Sequence, residues 1–400
     1  MRLRKRTDRS SSGENRWDMG VGKCHEAAIL VCDRIFPVIT IRAGPRAAKL
    51  IREEGLAPAM VEIIPGAAGG PKGLGISGLD RAIFAEWLPS APRVRHLVGA
   101  SIGAWRFAAA CCDDPRAALA AFADAYTRQS YPPRPSRRFV SQAARAMLAE
   151  LFAGREAQIL ANPWNRLHIL AVRGRWPLAR DSSFATPLAF GIAAMANAVG
   201  RRHLARFIDR TVFVDEREHP PCLGTGSLTA QDAASLRFDA FHTHRVSLGK
   251  ENLGDALLAS ASIPLVLEGV ADIPRAPPGI YWDGGIIDYH LHLPYHHASG
   301  IVLYPHFTDH IVPGWLDKGM PWRKARGAWL DNVVLVAPSR EYLAGLPHGK
   351  LPDRRDFARF AGDDAGRTAY WRRAIGESDR LAEAFLEFAR RPDPSRVLPL

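Results

Sequence analysis

The stretch Val94-Arg95-His96-Leu97-Val98-Gly99-Ala100-Ser101-Ile102-Gly103 decides the fold. Its first five residues are typical of a buried strand, and the small residues at 104–111 predict a helix. Between them the pattern Gly99-x-Ser101-x-Gly103 requires glycines, because side chains at those positions would collide with the neighbouring elements. The stretch therefore predicts a strand–turn–helix unit that presents Ser101 at the carboxyl end of a strand as a candidate nucleophile.

A second unit of the same kind precedes this one. Residues 60–64 predict a short buried strand, and a glycine-dense loop, Gly66-Ala67-Ala68-Gly69-Gly70-Pro71-Lys72-Gly73, follows it. A helical pattern comes next, with its apolar face listed as Leu79, Ile83, Phe84 and Trp87. Two successive strand–turn–helix units predict an α/β fold with a mostly parallel sheet and crossover helices.

The glycine-dense loop is a candidate anion site. Glycines let backbone N–H groups approach a ligand, and an acyl hydrolase needs such donors around its tetrahedral oxyanion. The predicted oxyanion donors are the N–H groups of Gly69, Gly70, Lys72, Gly73 and Ile102, whereas Pro71 has none. A phosphate-binding loop is an alternative, but the spacing Gly-x-x-x-x-Gly-Lys-Ser/Thr is missing. Tight packing of a helix on a strand is another.

The rest of the chain extends this pattern. Helices are predicted at 117–126 and 138–152, strands at 167–172, 245–248, 300–304 and 332–336, and a helix at 253–262. A single amphipathic helix is predicted at 368–390, with Trp371, Ile375, Leu381, Phe385 and Phe388 facing inward. Residues 1–35 are charged and lack a steady period, which predicts a variable, disordered extension.

The bulk composition limits the partners. The 400 residues carry a net charge of +12, which favours anionic lipid surfaces, although a general preference for arginine explains it equally well. No basic stripe interleaved with aromatic residues is present, so we expect no nucleic acid partner. No run of about 18 apolar residues exists. We expect a cytoplasmic protein that is soluble or bound peripherally to a membrane.

The five cysteines do not describe a disulfide framework. They are Cys24, Cys32, Cys111, Cys112 and Cys222, an odd number that includes one vicinal pair. We expect buried thiols in a reducing compartment.

A carboxylate follows a third predicted strand, in Tyr281-Trp282-Asp283-Gly284-Gly285. The carboxyl ends of parallel strands form the crevice in which such a side chain can act, although an Asp-Gly pair is also common in plain turns.

Taken together, these motifs resemble the patatin-like phospholipases. The matching segments, in the order typical of that family, are Gly69-Gly70-Pro71-Lys72-Gly73, Gly99-Ala100-Ser101-Ile102-Gly103, Ala259-Ser260-Ala261-Ser262-Ile263-Pro264 and Asp283-Gly284-Gly285. The likeness covers about residues 61–288. Pro71 departs from it where the family has glycine, and the segment 288–294 departs from it after the third motif.

The resemblance implies a fold and a chemistry. The fold would be a three-layer α/β/α sandwich over 36–400, with a helical insertion at about 113–235 and a C-terminal helical extension at about 340–400. The activity would be hydrolysis of lipid carboxylic esters through an acyl-serine, with no cofactor and no metal. Ser101 would be the nucleophile and Asp283 its base, in a dyad without histidine. Lipid or phospholipid would be the substrate.

Two alternatives stay open. His290, His292, His296, His297, His306 and His310 fall within 21 residues, so one of them could complete a Ser–Asp–His triad, or several could hold zinc. Pro71 motivates the other alternative, a non-catalytic relative that binds lipid or protein at a degenerate oxyanion loop.

Overall fold

The computed structural model describes residues 37–223, 239–323, 325 and 327–400. The predicted N-terminal extension at 1–35, with Cys24 and Cys32, lies outside the described residues. Residues Val38–Leu400 form one compact unit.

The described residues form eleven strands. They are β1 (Ile39–Ala43), β2 (Val61–Gly66), β3 (Arg95–Ala100), β4 (Asn165–Gly174), β5 (Ile208–Val214), β6 (Thr243–Ser247), β7 (Val270–Ala271), β8 (Ile280–Asp283), β9 (Ile301–Pro305), β10 (Val333–Pro338) and β11 (Val397–Pro399).

The helices of the described residues surround this sheet. They are α1 (Pro45–Glu54), α2 (Ser77–Ala82), α3 (Ile102–Ala110), α4 (Pro115–Thr127), α5 (Arg137–Phe152), α6 (Glu156–Ala161), α7 (Ala185–Val199), α8 (Arg201–Leu204), α9 (Leu253–Ala261), α10 (Arg340–Gly345), α11 (Arg355–Arg359), α12 (Asp364–Glu377) and α13 (Asp379–Arg390).

The strands pair in one central sheet, in the order β11-β1-β10-β9-β2-β3-β4-β5-β6. The five central strands, from β10 to β4, are parallel to their neighbours. Nearly all of their residues are buried, as expected for parallel strands that helices cover on both faces. This architecture confirms the predicted α/β/α sandwich with a mostly parallel sheet.

The longest strand, β4, has an edge that two other strands share. Along this edge β3 pairs with residues Asn165 to Leu170 and ends there, with Ala100 opposite Leu170. Residues 171–173 then pair with the antiparallel strand β8, which places Asp283 opposite Ala171. The other edge of β4 is occupied by β5. The carboxyl ends of β3 and β8 therefore meet on this edge. The strand that carries Asp283 runs antiparallel to β4, whereas the sequence pattern predicted a parallel strand.

The predicted helix at 368–390 is wrong as a single element. The structure has two helices, α12 and α13, with Ser378 between them. The backbone of Ser378 lies so close to Gly78 that a Cβ on that glycine would stand 2.3 Å from the Ser378 carbonyl oxygen. The Ser378 hydroxyl also accepts the Gly78 N–H at 2.8 Å. This tertiary contact interrupts the helix at a point where the spacing of the apolar residues continues unbroken. Trp371, Leu381, Phe385 and Phe388 are buried, whereas Ile375 is half-buried.

The segment predicted as a helical insertion, residues 113–235, also supplies β4 and β5 to the central sheet. Cys111, Cys112 and Cys222 are free and buried. Among the described residues, no helix is both long and apolar enough to cross a membrane.

A buried ion pair joins the helices that follow the two glycine turns. Asp80 of α2 and Arg106 of α3 are each 1% exposed at their side chains, and Arg106 Nε lies 2.6 Å from Asp80 Oδ2. Burial raises the pKa of Asp80, and the charge of Arg106 opposes that rise. Removing one partner would leave a charge in the core without compensation.

We expect Asp80→Ala to lower the free energy of unfolding by about 3–5 kcal/mol, because Arg106 would remain buried and unpaired. Urea titration followed by circular dichroism measures the change. Glu86→Ala is the matched control, since Glu86 pairs with Arg116 at 3.5 Å on the surface and should cost less than about 1 kcal/mol. Equal losses in the two variants would contradict the prediction.

Candidate active site

The nucleophile turn owes its shape to close backbone packing. A Cβ on Gly103 would stand 2.0 Å from the Gly66 carbonyl oxygen, and one on Gly99 would stand 2.6 Å from the Ala104 Cα. No side chain fits at either position. Ser101 between them has φ 56° and ψ −129°, a conformation that is strained for a residue with a side chain. The sequence requirement for glycine at these two positions thus has a direct steric cause.

Hydrogen bonds hold the strained serine in place. The Ser101 N–H donates to Ser260 Oγ at 2.8 Å, and that hydroxyl donates to the Leu170 carbonyl at 2.6 Å. Ser260 therefore ties the nucleophile turn to β4. The motif at residues 259–264 contains this serine, but its sequence alone does not predict these hydrogen bonds.

The Ser101 hydroxyl contacts one carboxylate directly. Ser101 Oγ donates to Asp283 Oδ2 at 2.8 Å, and Asp283 Oδ1 accepts the Gly285 N–H at 2.7 Å. The Asp283 N–H in turn donates to the Ser262 carbonyl at 2.9 Å. Burial raises the pKa of Asp283 to about 6, while the hydrogen bonds from Gly285 and Ser101 lower it in part. The carboxylate is therefore both fixed in orientation and more basic than a free one.

The glycine-dense loop lies beside this pair. Gly69, Gly70, Lys72 and Ile102 line the same cavity as Ser101 and Asp283. Gly73 does not line it: a Cβ there would stand 3.0 Å from Ile102 Cγ1, so this glycine packs behind the cavity wall. Pro71 is buried near the start of the short 3-10 helix Gly70–Ile76.

The predicted histidine cluster does not enter the serine–carboxylate pair. His290 is buried and its Nδ1 accepts the Val312 N–H at 3.0 Å, while His306 Nδ1 accepts the Thr308 N–H at 2.9 Å. Burial keeps the pKa of His290 well below 6.5 and lowers that of His306 to about 3, so both rings are neutral. His292 is also buried, and His296, His297 and His310 are exposed.

One group of described residues has the spacing of a metal site. It consists of Asp209, His242 and His244, none of which belongs to the predicted cluster or lines the cavity. Arg173 and Arg175 lie 3.6 and 3.5 Å from the Asp209 carboxylate and already supply positive charge there. This group is therefore a poor fit for a cation.

The cavity has a volume of about 1190 Å³, and its lining contains two chemically different groups of side chains, here called the apolar wall and the cationic wall. One wall is apolar and is formed by Trp105, Val140, Met147, Ile263 and Leu267. The other wall is cationic and carries Lys72, Lys318, Arg354 and Arg355.

The cationic wall comes largely from residues late in the chain. A Cβ on Gly70 would stand 3.4 Å from Arg354 Cγ, so the arginine stem covers the glycine loop. Lys318 Nζ lies 3.9 Å from the centre of the Tyr289 ring. Burial, with the charges of Lys72 and Arg354, lowers the pKa of Lys318 to about 7. Lys318 and Arg354 were not predicted as site residues, because only the fold brings them to the cavity that Ser101 lines.

A serine on a tight strand–helix turn, with a carboxylate against its hydroxyl, is typical of serine hydrolases. A family model described as patatin-like phospholipase matches residues 69–292, more than half of the chain. The chain belongs to the patatin-like phospholipase family. Membership of this family implies that the protein is a lipid acyl hydrolase. Comparison with curated proteins and with solved structures gives no match.

We expect the reactivity of Ser101 to follow the protonation of Asp283. Below about pH 6 the Asp283 carboxyl is protonated and cannot accept the Ser101 proton, so labelling by a fluorophosphonate should slow as the pH falls through this value. Above it the rate should level off. The measurement is the second-order labelling rate against pH, with Ser101→Ala as the blank. A midpoint near 3.8, the ordinary value for aspartate, would contradict the assigned shift.

Proposed function

We propose that this protein hydrolyses a carboxylic ester of a phospholipid, with Ser101 as nucleophile and Asp283 as general base. The observation that carries the proposal is the 2.8 Å contact between Ser101 Oγ and Asp283 Oδ2, at the bottom of a cavity with an apolar wall and a cationic wall. The proposed substrate has the same two chemical parts, an acyl chain and a phosphate.

The proposed reaction has two balanced halves. Ser101 Oγ forms a bond to the ester carbonyl carbon while its proton passes to Asp283 and the carbonyl oxygen becomes an oxyanion. Collapse of this intermediate breaks the bond to the alcohol oxygen, which leaves with the proton from Asp283. Water then repeats the sequence on the acyl-serine, releasing the fatty acid and restoring Ser101. The raised pKa of Asp283 makes the first proton transfer easier than it would be to a free carboxylate.

The oxyanion would lie between two helix starts. The N–H of Ile102 opens α3 directly after the nucleophile, while Gly69 directly precedes the 3-10 helix and Gly70 begins it. Positive ends of helices and backbone N–H groups stabilise negative charge that develops in the transition state. Lys72 lines the same cavity and adds a positive charge. We keep these residues as the proposed oxyanion site and assign Gly73 to packing.

The cationic wall supports a phosphate on the alcohol side of the ester. Within the described residues, no carboxylate oxygen lies within 4.0 Å of the charged nitrogens of Lys72, Lys318 or Arg354. The neighbouring Asp353 is already bound to Lys350 at 3.0 Å. Asp353 also lines the cavity and offsets part of the charge of Lys72. Cations that share a cavity without forming ion pairs of their own favour an anionic ligand. The apolar wall of the same cavity supplies a surface for the acyl chain.

The alternatives explain fewer of these contacts. For a triad, a histidine would have to stand between Ser101 and Asp283, whereas their oxygens are in direct hydrogen-bond contact. For a non-catalytic relative, Pro71 would have to disable the oxyanion loop. Its fixed φ suits the start of the 3-10 helix, and Gly69, Gly70 and Ile102 line the cavity without it. The strained backbone of Ser101 also costs free energy of folding, and a site that only binds a ligand would not need a serine in this conformation.

We expect Ser101→Ala to abolish hydrolysis of a short p-nitrophenyl ester and Asp283→Asn to lower kcat by about 100- to 10,000-fold, the usual contribution of a general base. His290→Asn should stay within a few-fold of wild type, because asparagine can still accept the Val312 N–H. Thermal melts verify that each variant is folded.

The two alternatives give different results in the same experiment. If Asp283→Asn keeps near-normal turnover while His290→Asn or His292→Asn loses it, the triad replaces the dyad. If a fluorophosphonate labels neither wild type nor Ser101→Ala, the protein is a non-catalytic relative.

We expect Arg354→Gln to lower kcat/KM for phosphatidic acid by about 10- to 100-fold, because one charge-assisted hydrogen bond is lost. Turnover of an uncharged diacylglycerol should change by less than about threefold, as no phosphate is present to bind. Arg359→Gln, at an exposed position of the same segment, is the matched control. A parallel loss on both substrates would mean that Arg354 supports the fold of the site and not the headgroup.

A further inference from the structure

Helix α7 has two apolar faces, and the residues that the structure describes cover only one of them. Ala189 and Ala193 on the inner face are 3% and 0% exposed, and the ring of Phe190 contacts that of Trp282 edge-on at 5.5 Å. On the outer face Leu188, Met195 and Val199 are 68%, 64% and 82% exposed. The contacts of the inner face are sufficient to pack this helix on the sheet. They do not explain why the outer residues are also apolar.

The outer residues form one continuous stripe. Phe184, directly before the helix, is 92% exposed and Ile192 is 40% exposed, so the stripe runs through positions 184, 188, 192, 195 and 199. This spacing keeps them on one side of a helix. Scattered exposed apolar residues are ordinary, but a contiguous patch of this kind marks a contact surface.

The segment that carries the stripe has no acidic residue. Residues 182–208 contain no aspartate or glutamate, and they include Arg201, Arg202 and Arg206 just after the helix. Arg202 and Arg206 are exposed. An uncharged apolar face bordered by arginines is typical of helices that lie in the boundary of an anionic membrane.

Both ends of α7 are tied to the cavity that contains Ser101. Before the helix, Asp181 Oδ2 accepts the Gly269 N–H at 2.9 Å and an N–H of Arg137 at 2.5 Å. Arg137 also donates to the carbonyl of Leu267, a residue of the apolar wall, at 3.1 Å.

At the other end, Asn197 Nδ2 donates to Asp317 Oδ1 at 2.9 Å, and Asp317 directly precedes Lys318 of the cationic wall. Hydrogen bonds at the two ends of α7 therefore reach a residue of the apolar wall and the residue next to Lys318 of the cationic wall.

We propose that the outer face of α7 docks the protein on an anionic lipid bilayer. Phe184, Leu188, Met195 and Val199 enter the boundary between headgroups and acyl chains, and Arg202 and Arg206 contact lipid phosphates. The inference rests on the proposed function in that the bilayer supplies the substrate, but the docking itself does not involve Ser101.

Co-sedimentation with vesicles tests the docking separately from the chemistry. The protein carries Ser101→Ala, so the lipid is not consumed, and the vesicles contain either phosphatidylglycerol with phosphatidylcholine or phosphatidylcholine alone. We expect binding to the anionic vesicles, and a loss of at least about tenfold in the partition coefficient for Leu188→Glu with Met195→Glu. Leu398→Glu, an exposed leucine on β11, is the matched control and should bind normally. Arg202→Gln and Arg206→Gln should each weaken binding by about fivefold, on the anionic vesicles only.

Several outcomes would overturn the docking proposal. One is undiminished binding by the Leu188→Glu/Met195→Glu variant. Another is a dimer in light scattering that this variant dissociates, since a second copy would then cover the stripe.

With Ser101 restored, the same variant should lose hydrolysis of vesicle phospholipid while it keeps hydrolysis of a soluble p-nitrophenyl ester. Loss of both activities would indicate damage to the fold and overturn the assignment. Normal vesicle binding by a chain that hydrolyses no ester would refute the proposed function and leave the docking intact.

Discussion

The edge of β4 that β3 and β8 share is the constraint on which the candidate site depends. Because β5 occupies the opposite edge of β4, β8 pairs with β4 beyond the end of β3. Two strands that approach each other along one edge must turn away where they meet. Ser101 follows β3 at that point and Asp283 ends β8, so the backbone hydrogen bonds of the sheet bring hydroxyl and carboxylate into contact.

Burial acts on both kinds of charge in the cavity. It raises the pKa of Asp283 to about 6 and lowers that of Lys318 to about 7, since each group is less stable charged in a site with little water. Near neutral pH, the carboxylate remains ionised while Lys318 titrates readily. A bound phosphate would raise the pKa of Lys318 and keep it charged, and the charged lysine would in turn bind the phosphate more tightly.

The sequence predicted the parts of the site that depend on local geometry. The requirement for Gly99 and Gly103 arises within a few residues of Ser101, so the turn could be recognised from its pattern. The direction of β8 depends on which edge of β4 is vacant, and the break at Ser378 depends on Gly78, about 300 residues away. Arg354 reaches the glycine loop for the same non-local reason. No periodicity or motif records such contacts, and therefore the cationic wall was not predicted.

The route of the chain through the sheet also orders the events of biosynthesis. Strand β1, near the start of the described residues, pairs with β10 and β11 close to their end. Arg354 lies between those two late strands. A nascent chain could thus form the nucleophile turn early. It would lack β10 and β11, the partners of β1, and also Arg354 of the cationic wall, until almost all of the described residues had left the ribosome. The central sheet and the cationic wall are therefore completed late in translation, well after the nucleophile turn.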